Sequence, residues 1–96
     1  MGVEDILEER GIRYGNFDTH AETTQALKAV FRTGRKKAGR CYPMPALQQE
    51  AMDMILHKIA RIANGDASYD DNWIDIEGYA RLVTNELQKP TTAKEK

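Results

Sequence analysis

The feature that most constrains this chain is the run from Glu50 to Asn64, which has no proline or glycine and spaces its apolar residues as only an α-helix can use. At about 100° per residue, Ala51, Met52, Ile55, Leu56, Ile59, Ile62 and Ala63 fall in one arc of roughly 140°, wide enough for a core-facing surface. Glu50, Asp53, His57, Arg61 and Asn64 fall in a second arc of about 80°. Two carboxylates, an imidazole and a guanidinium on one stripe make either a site or a solvated face. Pro45 suits the first turn of this helix, where a missing N–H costs nothing, and Gly65 suits its stop.

The remaining segments follow the same period. Val3, Ile6 and Leu7 lie at helical spacing among acids, with Arg10 and Gly11 as an ending. Arg13 to Asp18 reads as a turn that can present the Tyr14 hydroxyl or the Gly15 amide to a ligand. Thr19 and Glu22 have capping-box spacing and open a second helix that ends near Arg32. Five basic residues between Arg32 and Arg40 then read as a solvated loop. Its Gly34 to Cys41 part lacks the Lys and Ser or Thr of a phosphate-binding P-loop. Trp73, Ile76, Ala80, Val83 and Leu87 share a face of a last helix, with Tyr79 beside them and Asn72 and Asp75 at capping-box spacing. Gly78 inside that helix suggests close approach of another helix or a ligand. The expected fold is all-α, a compact four-helix bundle with helices near 3–10, 19–32, 45–64 and 73–88. Residues 1–89 form one domain and 90–96 a disordered tail.

Composition removes whole classes of function. The 96 residues, 41% hydrophobic and 30% charged, are those of a small globular domain. No apolar run approaches the roughly 18 residues of a membrane span, and the start lacks the basic-then-apolar order of a secretory signal. Cys41 is the only cysteine, which fits a reducing cytoplasm. A net charge of −1 gives the whole protein no pull toward nucleic acid or membrane, so a nucleic-acid reader ranks third among the functions considered. A chain this small has a thin core, and a homodimer is expected.

ERGIRYGNF near the start and HKIARIANGDASYDDNWIDIEGYARLV near the end resemble a family of small uncharacterised phage and prophage proteins, over about Ile6 to Leu87. A weaker resemblance is to the all-α nucleoside triphosphate pyrophosphohydrolases of the MazG type. Their signature, Glu-x-x-Glu on one helix and Glu-x-x-Asp on the next, holds magnesium against nucleotide phosphates. Glu22-x-x-Gln25 and Glu50-x-x-Asp53 stand in those places, and Gln25 removes one negative charge from the set. The resemblance implies Mg²⁺ held by Glu22, Glu50, Asp53 and Asp75. It also implies catalytic use of Glu50 and Asp53 with His57 as proton shuttle, and phosphates clamped by Lys58, Arg61 and Arg40.

Residues three apart on a helix share a face, so two such motifs on packed helices bring hard oxygens together. Each residue also has a structural explanation: capping for Glu22 and Asp75, a surface pair for Asp53 with His57, a solvated face for the basic residues. Asp71 with Asp75 is a further carboxylate pair. The leading expectation is a magnesium-dependent nucleotide-binding protein or pyrophosphohydrolase, in the host cytoplasm if the chain is phage-encoded. The other is a non-catalytic helical protein that binds or blocks a host or phage protein.

Overall fold

The computed structural model describes residues 2–90, so the tail expected at 90–96 lies, but for Pro90, outside the described residues. Four helices follow one another: α1 (Val3–Tyr14), α2 (Phe17–Lys37), α3 (Ala46–Asn64) and α4 (Asp70–Gln88). The all-α bundle read from the sequence is the observed fold. No described helix is long and apolar enough to cross a membrane. α3 is the central helix and packs against each of the other three.

The helix ends differ from those expected, and each difference has a local cause. α1 runs through Gly11 and stops at Gly15, whose φ of 82° is the left-handed turn that ends it. α2 is capped by Asn16, not Thr19: the Asn16 Oδ1 accepts from the backbone N–H groups of Asp18 and Thr19 at 2.8 and 3.3 Å. The expected Thr19–Glu22 box is therefore absent, and Glu22 is exposed. α2 also continues five residues past Arg32, because Arg35, Lys36 and Lys37 favour the negative end of the helix dipole. It closes in a Schellman turn at Gly39, with the Arg40 N–H donating to the Arg35 carbonyl at 2.7 Å and the Gly39 N–H to that of Lys36 at 3.0 Å.

α4 begins at Asp70, and Asn72 is not its cap but the most buried polar residue, 1% exposed. That rotates the helix from the expected face. Asn72, Asp75, Ile76, Tyr79 and Val83 turn inward, while Trp73 is 54% exposed and lies over the preceding turn, its Nε1–H donating to the Ala67 carbonyl at 2.9 Å. Gly78 meets nothing: an added Cβ there would have no neighbour within 4 Å.

The α1–α2 and α3–α4 turns lie against each other. The Asn64 Nδ2 donates to the Tyr14 and Asn16 carbonyls at 3.0 and 2.8 Å, and the Asp66 N–H donates to the Arg13 carbonyl at 2.8 Å. A Cβ on Gly15 would collide with the Asn64 carbonyl, and one on Gly65 with the Arg13 carbonyl. Gly65 is thus required by close approach; its φ of −135° is ordinary. Gly65→Ala should lower stability by about 2 kcal/mol or more, since backbone must move. Gly78→Ala, in an open helix position, should raise it by about 0.5–1 kcal/mol. Urea melts of the two variants against the parent protein read both signs.

Candidate functional site

The stripe Asp53, His57, Arg61 and Asn64 is not a solvated face. All four side chains are partly buried, turned toward α2 and the α1–α2 turn, and only Glu50 at the end of the stripe is exposed. The surface that α2 sets against them is polar too, with His20 and Thr24 buried. The α2–α3 contact is therefore a polar seam, and it opens at both ends.

At its middle, the chain's two histidines meet across a sequence separation of 37 residues, His20 Nε2 to His57 Nδ1 at 3.4 Å, rings edge to face at 4.5 Å. The Thr24 hydroxyl donates to the His20 carbonyl at 2.9 Å, so its oxygen can only accept from the imidazole 3.3 Å away. That places the proton on His20 Nε2, makes His57 Nδ1 an acceptor, and leaves His20 Nδ1 a bare acceptor. This last atom is buried without a partner. Burial first, then Arg61, His20, Lys58 and Lys28, hold His57 down to a pKa of about 4. Burial, then Arg61 and Lys58, lower His20 as well.

One end of the seam is a cavity of about 410 Å³ among α1, the α1–α2 turn, α2 and α3, with Tyr14, Gly15, Phe17, His20, His57 and Arg61 in its wall. The Arg61 guanidinium lies 4.1 Å from the Tyr14 ring centroid, and Tyr14 meets Tyr69 edge-on at 6.0 Å. The turn therefore brings Gly15 and Tyr14 into the wall of this cavity. The other end is an opening of about 400 Å³ lined by Gln25, Lys28, Arg32, Gln49 and Asp53. There the Gln49 Nε2 donates to Asp53 Oδ1 at 3.0 Å.

The other residues singled out from sequence are dispersed. Glu50, one helical turn before Asp53, lines an apolar groove with Leu47, Ala51, Tyr79 and Leu82 on the α4 side of α3, a groove that Asp53 does not line. Asp75 pairs with Lys58 at 3.0 Å, so the expected metal ligand and phosphate clamp hold each other. Asp71 accepts from the Tyr69 hydroxyl at 2.7 Å, and Arg40 donates to the Tyr42 hydroxyl at 2.9 Å in the α2–α3 loop. Among the described residues no three His, Cys, Asp or Glu side chains stand together as a metal-holding group. Sequence reasoning missed His20, Thr24 and Lys28. The available signal was the pair His20 and Thr24 at i, i+4 on a helix with few apolar residues between Asp18 and Ala26.

A histidine whose folded-state pKa is depressed stays neutral in the fold while the unfolded chain takes up a proton. Stability is therefore unaffected above pH 6.5 and falls as pH drops from 6.5 toward about 4. The loss should be roughly 2–3 kcal/mol after allowance for partial exposure. Urea melts at pH 7 and 4.5 should show it, and His57→Gln should remove most of the difference.

A family model described as a domain of unknown function, DUF6378, matches residues 3–87. No curated protein and no solved structure matches the chain. The family match runs from the first turn of α1 to the last turn of α4 and takes in the whole polar seam, and on that extent the chain belongs to the DUF6378 family.

Proposed function

We propose that this protein is a cytoplasmic phage or prophage accessory protein that binds a nucleoside triphosphate with Mg²⁺ in a MazG-like manner, in the α2–α3 opening. The observation that carries the reading is the lining of that opening, where Gln25 and Asp53 come from the two motifs behind the MazG resemblance and Lys28 and Arg32 stand with them. Two cations suit a phosphate chain, and amide and carboxylate oxygens suit a hard cation.

The donor set limits this reading. One carboxylate, with an oxygen already accepting from Gln49, does not make a resident magnesium cage. The ion would arrive on the phosphates, and no hydrolytic step follows from these residues. In calorimetry, MgATP or another Mg-nucleoside triphosphate should bind, and Lys28→Ala with Arg32→Ala should weaken binding at least about tenfold. Absence of binding by all four common triphosphates sinks the proposal. Millimolar Mg²⁺ alone, raising the melting temperature of the parent protein but not of Asp53→Asn, would instead favour a resident metal and the pyrophosphohydrolase form of the reading.

A second reading, self-association as a homodimer, is supported by the apolar surface. The fully buried apolar residues are Ala51, Leu56 and Ala60, while Val3, Ile12, Leu47, Ile74, Leu82 and Leu87 are exposed. The same surface suits a host or phage protein. Light scattering at tens of micromolar should give a dimer mass; a monomer mass would leave the surface to a different protein.

A further inference from the structure

The cavity at the α1 end of the seam has chemistry that the nucleotide reading leaves unused. Its wall combines a guanidinium, two imidazoles and aromatic rings. Arg61 is partly buried and, among the described residues, forms no salt bridge. Its stacking on Tyr14 holds the fork in place while its N–H groups remain available to a planar anion. Arg10 lines the same cavity and adds a second positive charge.

The apolar part of the wall is aromatic and open. Phe17 is 75% exposed at the first position of α2, where the fold gives its ring only a tilted approach to His20, 6.0 Å between centroids. Leu7 on α1 is 62% exposed and lines the same space. His20, in the wall, is 6% exposed and carries the unpartnered Nδ1, a buried acceptor the protein itself does not satisfy. A volume of about 410 Å³ suits a small molecule.

We propose that this cavity is a binding site for a small aromatic anion, with its carboxylate or phosphate on Arg61 and Arg10 and its ring between Tyr14, Phe17 and Leu7. The site is independent of the nucleotide reading, since Lys28, Arg32 and Asp53 line the other opening. Burial is the main cause that keeps both imidazoles neutral and Arg61 the second, so an anion on Arg61 offsets part of the positive field and makes either imidazole easier to protonate. The other charges felt by this pair are Lys58 of α3 and Lys28 of α2, and they are the same in both states.

The test is a titration of the full chain with benzoate, phenyl phosphate, benzyl alcohol and acetate, followed by NMR of the two imidazoles. Benzoate, phenyl phosphate or both should shift the imidazole signals saturably, which also tells carboxylate from phosphate. Benzyl alcohol and acetate should bind at least about tenfold more weakly, since each lacks one half of the recognition. Saturating phenyl phosphate, which unlike benzoate still carries a negative charge where His57 titrates, should raise the His57 midpoint above its free value of about 4. Arg61→Gln should remove the preference for anion over alcohol, whereas Asp53→Asn should leave it intact. Should Arg61→Gln fail to fold, the rise in the His57 midpoint of the parent protein decides alone. No saturable imidazole shift, equal affinity for benzyl alcohol, or an unmoved His57 midpoint overturns the proposal.

Discussion

One side-chain amide holds the functional end of this protein together. Asn64, the last residue of α3, donates both of its amide hydrogens to main-chain carbonyls of the α1–α2 turn, those of Tyr14 and Asn16. Each bond contributes on the order of 1 kcal/mol net, and the Asn16 carbonyl also accepts from the His20 N–H at 3.0 Å, so the turn and the first turn of α2 share one acceptor. The contact needs backbone against backbone, which is why glycines stand at 15 and 65 on either side of it. With it in place, Asn16 caps α2, Tyr14 receives the Arg61 guanidinium, and the first turns of α2 bring His20 to His57.

The polar seam that follows is an unusual way to join two helices. An apolar interface would stabilise the pair more, because removing two imidazoles from water lowers their pKa values and costs stability as soon as the unfolded chain can be protonated. Lys58 with Asp75 repeats the pattern on the α4 side, where a nearly buried ammonium relies on one partly exposed carboxylate. A helix whose two flanks both carry buried polar groups leaves little room for a hydrophobic core. Among the described residues the buried apolar ones are two alanines and a leucine, with half-buried side chains such as Ile55, Ile62 and Ile76 around them. Several large apolar side chains of α1 and α4, such as Val3, Ile12, Ile74 and Leu87, lie outside, where a second surface can cover them.

How much of this was legible follows from the range of each signal. Helix existence is a local property, set by apolar period and by proline and glycine, so all four helices could be read from the chain. Their ends depended on choices between near neighbours: Asn16 over Thr19 as cap, and the charge–dipole gain that carried α2 through residues that read as a loop. Rotation of α4 could not be read: capping-box spacing makes Asn72 a cap and helical period puts Trp73 on the apolar face, and neither signal senses the neighbouring helix. Burial of Asn72 and exposure of Trp73 are decided by how α4 meets α3.

The sequence by itself determined the helical class, the amphipathic stripe of α3 and the membership of Asp53, His57, Arg61 and Asn64 in it, because 3.6-residue geometry puts those positions together whatever surrounds them. Only the tertiary structure decided what the stripe faces. It set His20 beside His57, gave Glu50 and Asp53, one helical turn apart on α3, different openings to line, and paired Asp75 with Lys58. The physical reason is that a helical period specifies an angle around one axis. The partner across that face comes from packing between segments tens of residues apart, here set by two glycine turns pressed together and one asparagine bridging them.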